Sequence, residues 1–173
     1  MDRHKLKNLI KKAKGGDCTA FGELYGEYAT ELYRFALYTL KNEADAQDAV
    51  QSAALTAFRK IKDLRNDMSF KSWFFKILYN ECRKTAGALS RKNELLYEDM
   101  SVIDGELPDF TGSKDLLSLI ELLSEKDKAI IILSVFEDYT SKEIAEILGM
   151  NAGTVRSRLS RLLTALRKQI EGV

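Results

Sequence analysis

The chain has 173 residues, room for one domain or two small ones, and an apolar content of 45% that can fill real cores and excludes global disorder. Its charged start, Met1-Asp2-Arg3-His4-Lys5, argues against a signal peptide, and its longest aliphatic run, Ala129 to Leu133, is far too short to span a bilayer. A net charge of +1 conceals strong segregation: residues 1–92 hold 18 Lys and Arg against 11 Asp and Glu, residues 93–113 hold none against 6, and residues 151–173 hold 5 against 1. Such blocks suit a chain that meets polyanion with some faces and protein with others.

One proline, few glycines and many Leu, Ala, Lys and Glu at helical spacing predict an all-α fold. The two cysteines, Cys18 and Cys82, have neither CxxC spacing nor a histidine-rich neighbourhood. That pattern favours idle or buried thiols in a reducing cytosol over a disulfide or metal site.

In chain order, Leu6, Leu9, Ile10 and Ala13 predict a short amphipathic helix that ends at Gly15-Gly16. Asp17 is placed to cap a second helix with a wide apolar stripe, Phe21, Leu24, Tyr25, Tyr28, Leu32, Phe35, Ala36 and Leu40. After a break at Lys41-Asn42-Glu43, a third helix from Ala44 to Ile61 buries small residues, Ala46, Val50, Ala53, Ala54 and Ala57. Asp45, Asp48, Gln51 and Ser52 share its outer side, either as a solvated surface or as a polar docking face.

A loop at Arg65 to Ser69, with Ser69 as the expected N-cap, precedes a fourth helix running towards Leu89. Phe70, Trp73, Phe74 and Phe75 cover more of its circumference than one neighbour can bury, and Lys76, Asn80, Arg83 and Lys84 form a basic stripe flanked by Tyr79. Cations interleaved with surplus aromatics fit an unpaired nucleic-acid strand, with phosphates on the cations and unstacked bases on the rings. The same composition fits an aromatic core with solvated lysines on the far side.

Residues 93–113 hold the only proline, two glycines and six acids, and predict a flexible acidic linker between a four-helix domain (1–92) and a smaller one (114–173). Leu116, Leu117, Leu119, Ile120, Leu122 and Leu123 open the second core. Ser124 is placed to cap a helix bearing Ile130, Ile131, Leu133, Val135 and Phe136.

Thr140 and Glu143 have capping-box spacing, Ile144, Ala145, Ile147 and Leu148 share one side of a short helix, and Gly149 ends it. Asn151 can cap a further helix whose stripe is Val155, Leu159, Leu162 and Leu166, with the small Ala145 at the crossing. Together these predict a helix-turn-helix. The outer side of its second helix carries Thr154, Arg156, Ser157, Ser160 and Arg161, the mixture of cations and short polar groups that can enter a major groove.

With these motifs in view, the chain resembles the small extracytoplasmic-function (ECF) group of bacterial RNA polymerase sigma factors, over nearly its whole length. Gly16-Asp17 with AFGELYGEY resembles the opening helix of the family's region 2, and Asp45-Ala-Gln-Asp-Ala-Val-Gln resembles its DAEDLVQE signature. Phe70-Lys-Ser-Trp-Phe followed by Asn80 resembles FRAWLYRIARN, and Thr140 to Gly149 with Gly153-Thr-Val-Arg-Ser-Arg resembles region 4. The signature run ends in Ser52 where the family has glutamate, and the segment LLSEKDKAIIIL lacks the family's usual proline.

The resemblance implies a region 2-like domain and a region 4-like domain, and roles for the matched residues. Asp45, Gln47, Asp48 and Gln51 would dock on core RNA polymerase. Asn66, Met68, Phe70, Lys71 and Trp73 would capture a flipped base of the −10 element, while Lys76, Asn80, Arg83 and Lys84 would hold nearby backbone. Thr154, Arg156, Ser157, Ser160 and Arg161 would read the −35 element. The acidic linker would thread the polymerase's basic RNA-exit path, and an anti-sigma factor is a further partner the family brings. No cofactor, metal or small-molecule substrate is expected.

Other functions compete with this one. A DNA-binding regulator that never joins polymerase explains the helix-turn-helix but leaves the fourth helix and the acidic linker without a purpose. A helical adaptor or anti-sigma-like protein would show no dependence of DNA affinity on Arg156 or Arg161. An enzyme is the poorest fit: His4 is the only histidine, and no nucleophile–base pair, phosphate-binding glycine loop or ligand cluster appears.

Overall fold

Caps and left-handed residues fix the ends of the first helices in the computed structural model, which describes residues 2–94 and 116–171, with side chains described over 2–88 and 118–171. The first helix, α1 (Arg3–Lys14), buries Leu6, Leu9, Ile10 and Ala13 and stops at Gly15-Gly16. The Asp17 side chain accepts the Ala20 amide at 3.0 Å and opens α2 (Cys18–Leu40). Lys41, at φ 56°, turns the chain, and the Asn42 side chain accepts the Asp45 amide at 3.0 Å to open α3 (Glu43–Lys60). α2 packs against both α1 and α3. The buried side of α3 is Ala46, Ala49, Val50, Ala53 and Ala57, and such small side chains let the backbones approach closely.

Between α3 and α4 (Phe70–Glu94) lie two 3₁₀ turns, Ile61–Asp63 and Asp67–Ser69. Asn66, not Ser69, is the capping residue here: its side-chain oxygen accepts the Met68 amide at 3.0 Å, and Ser69 falls inside the turn. Lys14 of α1 ties this connection down, donating to the Leu64 carbonyl and to the Asp67 carboxylate, each at 2.8 Å.

Of the two readings of the α4 aromatics, the structure bears out the aromatic core. Phe70, Phe74 and Phe75 are buried at 1% exposure or less, and Tyr79 is buried too. One helix, α2, supplies the ring partners of all three. Phe75 meets Phe35 edge-on at 5.9 Å, Phe74 meets Phe21 at 6.3 Å, and Phe70 meets Tyr28 at 5.9 Å. Phe21 in turn meets Phe58 of α3 at 5.2 Å. Each such ring contributes about 1.5–3 kcal/mol through burial, which makes this cluster the main core of the first unit.

The chain divides into two units, residues 1–92 and 93–173. The first two residues of the expected linker, Asn93 and Glu94, continue α4; its stretch from 95 to 113 lies outside the described residues. In the second unit, α5 (Leu116–Glu121) leads to Ser124, whose hydroxyl accepts the Asp127 amide at 3.2 Å and opens α6 (Glu125–Ile131). The expected single helix through Phe136 gives way to a wider π turn over Ile132–Phe136. The extra residue in that turn breaks the 3.6-residue register. Val135, expected in the core, is 45% exposed as a result, and Leu122, in the break between α5 and α6, is 46% exposed while Leu123 takes the buried place.

The helix-turn-helix forms as its residues dictate. The Thr140 hydroxyl accepts the Glu143 amide at 3.3 Å, the Glu143 carboxylate accepts the Thr140 amide at 2.9 Å, and α7 (Ser141–Leu148) follows. Gly149 sits at φ 66° and ends α7. The Met150 amide then donates to the Ala145 carbonyl at 2.9 Å, and Asn151 accepts the Gly153 amide at 2.8 Å to start α8 (Ala152–Glu171). Val155, Leu162 and Leu166 are buried, and Leu159 is half-buried. Among the described residues, every regular element is helical and no helix is long and apolar enough to cross a membrane.

Candidate nucleic-acid interface

The apolar stripe of α8 faces its own unit, so the opposite side is outward by geometry. Thr154, Arg156, Ser157, Ser160 and Arg161 are all exposed. Ser157 donates its hydroxyl to the Thr154 carbonyl at 3.1 Å and keeps lone pairs free to accept. Arg158 behaves differently from the other cations of this helix. Its position beside the apolar stripe lets the guanidinium fold back and donate to the Asp127 carboxylate of α6 at 3.2 Å. Both side chains there are about 85% covered, at 14% and 15% exposure, and Asp127 also accepts the Ser124 hydroxyl at 2.9 Å. Arg158 therefore braces the unit, while Arg156 and Arg161 are presented to solvent.

In the first unit, Asn66 and Met68 are exposed on the tied-down connection, Met68 at 43%. Trp73 is half-buried, with its ring 5.9 Å from that of Phe70. Two residues expected to touch a base are engaged elsewhere. Phe70 is 0% exposed, so its ring backs Trp73 and cannot itself face a strand. Lys71 is half-buried, pairs with Glu31 at 2.8 Å and lies 6.0 Å from the Tyr28 ring centre.

Lys76, Asn80, Arg83 and Lys84 form a continuous exposed stripe along α4, as their spacing dictates. Lys84 pairs with Glu81 at 2.8 Å, and the Arg83 guanidinium sits 5.9 Å from the Tyr79 ring. Beneath the stripe, Cys82 is fully covered, and that burial pushes its thiol up to about 12. On α3, Gln47, Asp48 and Gln51 are exposed and Asp45 is half-buried. Leu55 extends that surface, exposed at 58%.

Sequence reading did not single out Arg59 and Lys60, at the last turn of α3. They line a groove together with Asn80, Arg83 and Lys84 of α4. A pair of adjacent bases at a helix end carries no signal alone; only the side-by-side placement of α3 and α4 gives it one.

Comparison with known proteins bears on both units. Residues 24–92 match the family described as Sigma-70 region 2, and residues 113–166 match Sigma-70, region 4. The RNA polymerase sigma factor SigV of Bacillus subtilis is 36% identical over 152 residues, covering 83% of this chain and 87% of that protein. The ECF RNA polymerase sigma factor SigW of the same organism is 30% identical over 183 residues, covering 95% and 96%. Among solved structures, the sigma factor RpoE of Bartonella quintana, in complex with the anti-sigma factor NepR, matches with a TM-score of 0.69 at 25% identity over 87% of this chain and 96% of that one. CnrH, solved with the cytosolic domain of CnrY, shares the fold with a TM-score of 0.74 at 21% identity over 97% and 98%. With both signature regions present in order, the chain belongs to the sigma-70 family of RNA polymerase sigma factors, in its extracytoplasmic-function group.

Proposed function

We propose that this chain, as an ECF sigma factor in the cytoplasm, joins core RNA polymerase through the α3 surface of Asp45, Gln47, Asp48 and Gln51. Residues 1–92 then serve the −10 element and residues 114–173 the −35 element, with the acidic stretch 93–113 passing along the polymerase's basic RNA-exit path. Thr154, Arg156, Ser157, Ser160 and Arg161 enter the major groove, where arginine recognises guanine edges and hydroxyls contact base or phosphate. Asn66, Met68 and Trp73 receive an unstacked base, with Phe70 and Lys71 supporting that surface from within. Lys76, Asn80, Arg83 and Lys84 neutralise the neighbouring backbone.

No covalent chemistry is required of any residue. Stacking contributes on the order of 1–3 kcal/mol per base, against an unstacking cost of a few kcal/mol, so capture of even one or two bases shifts a promoter towards the open state. An anti-sigma factor is a further partner on this reading, supported by the RpoE relative that is solved with one.

The observation that carries the reading is the outward face of α8, hydroxyls and arginines together behind a fully capped helix-turn-helix. Selection from random duplex DNA with core polymerase tests it. The reading requires recovered sequences with two elements at one fixed spacing, because a polymerase-bound chain would hold its two DNA readers at a set distance. Recovery of a single element, independent of polymerase, would replace the proposal with a plain DNA-binding regulator.

A further inference from the structure

The groove between the end of α3 and the middle of α4 has two basic walls. Arg59 and Lys60 stand on one, exposed, and Arg83 and Lys84 on the other. Among the described residues, the only acid lining it is Glu81, which is already paired with Lys84 at 2.8 Å. Four cations around one carboxylate leave a surplus of positive charge in a concavity, where protein walls focus the field more strongly than a flat surface does. The Asn80 amide adds a neutral donor, the kind of group that positions phosphate oxygens.

We propose that this groove is a phosphodiester-binding site that grips promoter DNA backbone from two sides, with Arg59 and Lys60 as contacts additional to the α4 stripe. The inference rests on the promoter reading above and extends it to α3. Two features favour nucleic acid over an acidic protein segment. A protein segment needs apolar pockets for anchoring side chains, and among the described residues Ile77 is the only large apolar one lining the groove. The groove also shares Asn80, Arg83 and Lys84 with the stripe that follows Trp73 and Lys76 along α4, so backbone leaving the base-capture surface along that helix arrives between the walls. The α3 wall is well placed electrostatically, since the C-terminal end of a helix favours cations.

The test uses the full chain with core polymerase and the double variant Arg59→Gln, Lys60→Gln. Both side chains are exposed, so the helical signal and thermal midpoint should match the parent chain. The probe is a promoter fragment selected by the parental holoenzyme, offered as closed duplex and as a fork with the non-template strand single over the −10 element. If two phosphate contacts are lost, the slope of log K against log salt flattens by about 1.8 where the groove holds duplex, or by about 1.4 where it holds single strand. The probe showing the change identifies the source. Unchanged slopes on both probes overturn the proposal while leaving the promoter reading intact. Weakened binding to core polymerase with unchanged slopes also overturns it and assigns the groove to a protein partner. A parental holoenzyme that selects no promoter overturns the parent reading and this one with it.

Discussion

Cys82 and Cys18 show how one residue type is divided by its surroundings. Cys18 is exposed at the start of α2, whereas Cys82 lies covered inside α4 with its thiol pushed up to about 12. A thiol whose folded value is raised favours the neutral form, so its contribution to stability is present below the unfolded value near 9 and is lost as pH climbs towards 12. At neutral pH the folded chain should therefore expose one reactive thiol to an aromatic disulfide reagent and a second only on unfolding; two thiols reacting at equal rates would contradict the burial. Arg161 carries the sharper functional consequence. Arg161→Ala should cost about 1–3 kcal/mol on the preferred −35 sequence and relax preference at one base position, measured by competition between single-base variants. A uniform loss across all sequences would make Arg161 a phosphate contact only.

Within α8, neighbouring arginines belong to different tasks, and this is an element-level property set by the helical period. Arg158 folds over the apolar stripe to Asp127, while Arg156 points outward. Arg158→Ala should destabilise the chain by about 1–3 kcal/mol in urea unfolding, since it strips a largely covered carboxylate of its cationic partner and leaves it the Ser124 hydroxyl, and Arg156→Ala should stay within about 0.5 kcal/mol. Equal effects of the two would refute the division. Local sequence specified several caps: Asp17, Ser124, Thr140 with Glu143, and Asn151 act where their spacing put them, whereas Asn42, read only as part of a break, and Asn66, in place of Ser69, emerge as caps from the structure. It did not specify the π turn at Ile132–Phe136, which has no punctuating glycine or proline and depends on how that segment packs. Nor did it decide whether the α4 aromatics form a core or face a strand; the base-contact role of Phe70 came from the resemblance, and the ring is buried against Tyr28 of α2. Burial against a neighbouring helix is a tertiary fact, invisible to a periodicity count.

At the scale of the whole molecule, the charge blocks and the two helical units were legible from composition, because they require only runs of like residues. The outward cations of α8 and α4 were legible as well, since a single amphipathic helix defines its own outside. The α3–α4 groove was not, because its walls lie more than twenty residues apart in sequence. On the proposed function, DNA opening belongs to a polymerase-bound chain that reads duplex with α8 and holds an unstacked base beside Trp73. Permanganate footprinting of a selected promoter, with core polymerase in the presence and absence of this chain, measures that act directly. The account predicts reactive thymines across the −10 region only when the chain is present, and their loss with Trp73→Ala while duplex binding persists; thymines that stay unreactive with the intact chain bound at the promoter would contradict it.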